Sequence, residues 1–155
     1  MNIFVLDTDP IVAAGYLCDR HVPKMLLESA QMLSTVLHEA GASHPALYRS
    51  THARHPCTIW TGSSRANAKW LISHAKAIGH EWRVRYVHSR SHASEPILDV
   101  AMTMLDYLPD GPITPFALAM PECYRDNDAV LAYRQYYREE KRSIAKWRLI
   151  APEWF

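Results

Sequence analysis

The chain has 155 residues, 48% of them hydrophobic, which is enough for one globular domain (1–155) with its own core and too few to expect two. Its 17 basic and 16 acidic residues leave a formal charge of +1, so no overall field favours nucleic acid or membrane and any basic surface must be local. Cys18, Cys57 and Cys123 are odd in number and form no C-x-x-C pair, which argues against a disulfide framework; with no apolar run near the roughly 18 residues of a membrane span and no signal-peptide start, the expectation is a cytoplasmic protein.

The β-branched and aromatic run Asn2 to Leu6 predicts a short buried strand. Asp7, Thr8 and Asp9 before Pro10 read as a cap, with a first helix to Leu17. A second helix is expected from Val22, with Pro23 in its first turn, to Ala40, where Gly41 supplies the left-handed stop. Residues 42 to 62 contain Pro45, Pro56 and Gly62 without helical period and read as a long loop holding His52, His55 and Cys57. Ser63 or Ser64 caps a helix from Arg65 to Ile78, which Gly79 either ends or interrupts before Glu81 to Tyr86. Ser94 and Pro96 open a helix to Leu108, PDGPITP makes a turn-rich connection, and Asp126 to Asp128 cap a last helix to about Arg142. The expected fold class is mainly α, a compact single helical domain with one short N-terminal strand.

The stretch CDRHVPKMLLESAQML carries the densest chemistry. It sets Asp19, His21 and Glu28 in an Asp-x-His-x6-Glu pattern where the second helix begins. In that helix positions 21, 24, 28, 31 and 35 share a stripe, so His21, Lys24, Glu28, Gln31 and Thr35 point one way and acid, base and cation converge. The competing reading makes this stripe the wet side of an amphipathic helix buried through Val22, Met25, Leu26, Met32, Leu33, Val36 and Leu37, with Arg20 and Lys24 in ordinary salt bridges to Asp19 and Glu28.

The run AYRQYYREEKRSIAKWR interleaves Tyr133, Tyr136, Tyr137 and Trp147 with Arg134, Arg138, Lys141, Arg142, Lys146 and Arg148, a mixture suited to stacking bases and holding phosphates. Tyr133 and Tyr137, four apart, also fit a core face. The segment WRVRYVHSRSH adds Arg83, Arg85, His88, Arg90 and His92. Spacings among His52, His55, Cys57, His88 and His92 are tolerated by zinc but complete no recognisable site, so no metal is called. HPC at 55 to 57 lacks the remaining parts of a zinc deaminase, and His55 instead suits a phosphate or base contact. No Gly-rich phosphate loop, G-x-S-x-G elbow or dinucleotide fingerprint is present, and no cofactor is called.

The Asp19, His21 and Glu28 spacing resembles that of the phage pyrimidine dimer DNA glycosylase called endonuclease V, a compact helical protein. The resemblance implies that Glu28 is the catalytic carboxylate, with Asp19 and His21 just ahead of it, and that Tyr133 to Lys141 meets DNA; Asp19 and His21 are then expected to orient and tune the carboxylate. That family's nucleophile is the amine of a mature N-terminal threonine, which attacks the sugar C1′ and forms a Schiff base that permits strand cleavage. Here the second residue is Asn2, before which initiator methionine is ordinarily kept, and the expected strand would hold the Met1 amine away from Glu28. This departure counts against the lyase step and leaves water or Lys24 as nucleophile. NIFVLDTDP, CDRHVPKM, HPCTIW, TPFALAMPE, AYRQYY and PEWF also resemble a widespread group of small phage proteins, which implies a host-cell cytoplasmic setting.

The leading expectation is an N-glycosylase-like enzyme acting on damaged or modified pyrimidines in DNA. Glu28, His21, Asp19 and Lys24 would carry the chemistry, and Arg20, His55, Arg85, His92, Tyr133, Arg134, Tyr137, Arg138 and Lys141 would hold DNA. Two alternatives share the residues: a transferase in phage DNA-base hypermodification, and a non-catalytic protein that sequesters a nucleotide or nucleic acid.

Overall fold

The computed structural model describes all 155 residues. Six α-helices follow in order: α1 Pro10–Tyr16, α2 His21–Glu39, α3 Pro56–Ser63, α4 Arg65–Tyr86, α5 Glu95–Thr103 and α6 Ala129–Glu140, with 3-10 turns at Leu105–Tyr107 and Glu122–Tyr124. The two long helices make the centre: α2 packs on α3, α4 and α5, and α4 packs on α1, α2, α3 and α5. No helix is long and apolar enough to cross a membrane.

Local chemistry accounts for the helix ends. Asp9 accepts the N–H of Ile11 and Val12 ahead of Pro10, and Asp128 does the same for Val130 and Leu131 at α6. Gly41 stops α2 at φ 85°. Ser64 does two jobs, ending α3 and capping α4 by accepting the N–H of Asn67 at 3.1 Å, while its hydroxyl donates to Pro112 O.

Three expectations change. Residues 56–63, read as loop, form α3: His55 caps it, Pro56 stands in its first turn, and Cys57, Thr58, Trp60 and Thr61 are buried. α4 runs unbroken through Gly79, where the missing side chain leaves room for Glu95: a Cβ there would lie 2.8 Å from Glu95 Cδ, and both Glu95 carboxylate oxygens lie 2.6 Å from Arg83 Nη1. The third change matters most for function. There is no N-terminal strand: Ile3, Phe4, Val5 and Leu6 are buried as a strand would be, yet no neighbouring strand pairs with them.

Asn2 explains the shape the N-terminal segment takes instead. Its Oδ1 accepts the N–H of Ile3 at 2.7 Å and of Phe4 at 3.1 Å, and its Nδ2 donates to Ala119 O at 2.8 Å. This side-chain turn folds the backbone into a hook and places Phe4 at φ 54°, a costly conformation for a bulky residue. Packing holds Phe4 there: its ring stacks on His21 at 4.7 Å and meets the edges of Tyr133 and Tyr137.

Candidate active site around Glu28

The predicted apolar side of α2 is buried as expected, but so is much of the stripe opposite. His21 is 4% exposed, Glu28 8% and Thr35 0%. The wet-side reading of this helix therefore fails at the positions that carry the chemistry, and between His21 and Gln31 only Lys24 and Leu27 are well exposed.

The hook delivers the chain's first residues to Glu28. Asn2 N–H donates to Glu28 Oε2 at 2.8 Å, and the Met1 amine lies 3.6 Å from the same oxygen. Lys24 Nζ stands 3.5 Å from Oε1, one turn back along α2. The amine reaches the carboxylate because the expected strand is a hook. Met1 is anchored by its side chain, whose Sδ sits 3.5 Å from Thr58 Oγ1 on α3, while Cys57 Sγ lies 4.0 Å from Asn2 Oδ1. Burial pushes the Cys57 thiol up to about 11, so it stays protonated at neutral pH and is a packing group, not a nucleophile.

His55 completes this end of the site. Its Nδ1 accepts the Cys57 N–H at 3.2 Å, which in the neutral ring leaves Nε2 as the N–H donor. Burial first, and then the positive Met1 amine and His52, hold its pKa below the usual histidine value, with Glu28 pulling the other way. The loop before it is tied to α2 by Thr35, whose Oγ1 accepts Thr51 N–H and lies 3.0 Å from Thr51 O.

Several predicted residues serve elsewhere. Neither Asp19 nor His21 is hydrogen-bonded to Glu28. Asp19 faces Arg85 at 3.3 Å. His21 Nδ1 bonds Tyr137 Oη at 2.7 Å, and the same hydroxyl accepts the Cys18 N–H. Burial, then Lys24, Lys141 and Arg20, lower His21 to about 4, so it is a neutral stacking partner for Phe4. Arg85 is not free for phosphate, since its buried guanidinium donates to Gly15 O, Leu17 O and Glu81, closing the carbonyl end of α1. Tyr133 and Tyr137 are wholly buried and stack no base. Tyr133 Oη donates to Ala117 O and accepts Ala119 N–H, fixing the strip that receives Asn2.

Arg134 is likewise engaged internally. It donates to Leu6 O and Asp7 and lies over the rings of Tyr16 and Trp154. His92 accepts Ser94 N–H and meets Trp82 edge-on in the loop between α4 and α5, and His88 stacks on the same indole at 3.9 Å. Arg138 and Arg20 remain exposed, and Lys141 lies over Tyr136 at 4.6 Å. No three His, Cys, Asp or Glu side chains gather at a metal-sized site.

The family model for pyrimidine dimer DNA glycosylase matches residues 1–94, more than half of the chain. The chain belongs to the pyrimidine dimer DNA glycosylase family. The matched span contains the hook, Glu28, Lys24 and His55, so the features that converge are those the family shares a model for. Residues 95–155, including the Ala117–Ala119 strip and α6 that hold the hook from outside, fall beyond the match. No curated protein and no solved structure matches the chain.

A carboxylate that accepts one fixed N–H and faces an amine at 3.6 Å can act as a base toward that amine or, as an anion, lie against a positive charge.

Proposed function

We propose that this protein is a DNA N-glycosylase that removes a damaged or modified pyrimidine, with Glu28 as the catalytic carboxylate and the Met1 amine as nucleophile. The observation that carries the reading is Glu28 Oε2 held between the Asn2 N–H at 2.8 Å and the Met1 amine at 3.6 Å. Once deprotonated, the amine attacks C1′ of an extruded nucleotide. The C1′–N1 bond breaks with its electron pair going to the base, which takes a proton from the attacking nitrogen and leaves; the C1′–O4′ bond then breaks as O4′ takes the proton that Glu28 had drawn from the amine, and the restored carboxylate faces the ring-opened cationic iminium. A Schiff base of this kind also acidifies the C2′ proton and opens the route to strand cleavage, so the lyase step belongs to the proposal.

Lys24 places its ammonium 3.5 Å from Oε1, an opposite charge beside a nearly buried carboxylate. His55, with Nδ1 taken by the Cys57 N–H and Nε2 left as the donor of the neutral ring, suits a pyrimidine carbonyl or a phosphate oxygen.

The test is base release from duplex DNA carrying a pyrimidine dimer or a hydroxymethylated pyrimidine. Glu28→Gln should lower release by about 100-fold or more with DNA affinity within about threefold. Equal turnover in that variant overturns the reading. Transfer of a group to the modified base, in place of its release, would assign the site to hypermodification, and binding without any product would leave a sequestering protein.

A further inference from the structure

A concavity of about 440 Å³ opens beside the start of α2, away from Glu28, and Arg20, Tyr86, Lys146 and Arg148 line it. Elsewhere the molecule pairs its partly buried or well-placed cations with carboxylates: Lys24 with Glu28, Arg65 with Asp106, Lys76 with Asp99, Arg83 with Glu95, Arg85 with Asp19 and Arg134 with Asp7. Arg20, Lys146 and Arg148 are all exposed and have no such partner. Asp19 is the one carboxylate lining the concavity, and it is already engaged by the buried Arg85. Three uncompensated positive charges therefore converge on one depression.

The segment that brings two of them is fixed in place. Asp19 N–H donates to Lys146 O at 2.8 Å and Trp147 Nε1 donates to Tyr16 O at 3.2 Å, so the C-terminal tail is fastened at Lys146 and Trp147. Arg148 lies over the Tyr86 ring at 4.8 Å, and the Tyr86 hydroxyl donates to Asp19 O. Cations held ahead of binding lose less freedom when an anion arrives.

The groove is also in line with the site. Arg20 and Glu28 are eight residues apart on the α2 path, about 12 Å of axial rise, which spans about three to four nucleotides of one DNA strand. Lys24, paired with Glu28 at 3.5 Å, lies between them along the helix. Lys146 and Arg148 lie beyond residue 94, outside the span that matches the family.

We propose that Arg20, Lys146 and Arg148 form a phosphodiester groove that grips the DNA backbone about three nucleotides from the reacting sugar, a contact supplied by this chain's own C-terminal tail. It rests on the glycosylase reading for the identity of the polyanion as substrate DNA. Neutralising a phosphate contact removes about 0.9 from the slope of log affinity against log salt, so the groove has a direct signature.

The experiment compares wild type, the double variant Lys146→Ala with Arg148→Ala, and a charge-matched control, Lys69→Ala with Arg90→Ala, whose exposed residues lie outside the groove. Binding to dimer-containing duplex is measured from about 50 to 200 mM salt, with single-turnover base release at saturating DNA alongside. The groove variant should lose about 1.8 from the salt slope while saturated base release stays within about twofold, and the control should lose under about 0.5. Equal slopes in wild type and groove variant, or equal loss in the control, overturn the proposal. Wild type that binds with the expected slope change but releases no base keeps the groove and removes the glycosylase reading, whereas base release with an unchanged slope does the reverse.

Discussion

Asn2 and Glu28, 26 residues apart in sequence, are joined by a 2.8 Å hydrogen bond from backbone amide to carboxylate. That bond makes the start of the chain part of the site. The residue at position 2, which in the sequence counts against an amine nucleophile, is the one whose side chain turns the backbone back toward Glu28.

Replacing Asn2 tests the hook. Asn2→Leu is bulky enough to keep Met1 in place, yet it removes the acceptor for Ile3 and Phe4 N–H and the donor to Ala119 O. Base release should fall by about tenfold or more, and stability by about 1–3 kcal/mol from the amides left unpaired. Unchanged single-turnover rates would mean that the hook plays no part in placing the amine.

Tyr133 separates a core role from a DNA role. Tyr133→Phe deletes a buried hydroxyl that serves both Ala117 O and Ala119 N–H. The expected result is a loss of about 1–3 kcal/mol in urea unfolding with DNA affinity within about twofold. A large drop in affinity without loss of stability would return Tyr133 to the DNA surface.

His55 is tested by keeping its cap and removing its ring. Serine is a good N-cap, so His55→Ser should preserve the melting temperature while lowering base release by about tenfold. Full activity in a stable His55→Ser protein would limit His55 to capping α3.

Acid stability follows from His74, buried completely with neither ring nitrogen hydrogen-bonded and stacked on Trp70. Burial lowers its pKa to about 3 from the ordinary 6.5, so the fold favours the neutral ring. Its contribution is complete above pH 6.5 and is lost as pH falls from there toward about 3, because the unfolded chain takes up the proton first. His74→Phe should flatten the decline in stability between about pH 6.5 and 5 by about 1.4 kcal/mol per pH unit at most. An identical decline in wild type and variant would show that His74 is already charged when folded.

Local signals made much of the fold legible. Prolines in first turns, side-chain caps and Gly41 place most helix ends, and the apolar face expected for α2, Val22, Met25, Leu26, Met32, Leu33, Val36 and Leu37, is buried. α3 was hidden because eight residues with Pro56 and Gly62 carry too little period to distinguish a helix from a loop. The N-terminal segment misled for a different reason. Ile3 to Leu6 have strand propensity, but a strand needs a partner, and the alternative depends on contacts to Glu28 and Ala119 that local sequence does not display.

At the site, Glu28 and its helix were visible, whereas the fates of the surrounding residues were not. Tyr137, Arg85 and Arg134 have the composition of a DNA surface, yet each is claimed by a distant internal partner: Cys18 N–H and His21, Gly15 O and Leu17 O, Leu6 O and Asp7. Amphipathic side chains of this kind serve core and ligand equally well, and only the fold chooses.

The most direct measurement is borohydride trapping on dimer-containing DNA, followed by proteolysis and mass mapping of the adduct. The expected result is a covalent sugar adduct on the α-amine of Met1, lost in Glu28→Gln. An adduct on Lys24, or base release with no adduct at all, would contradict it.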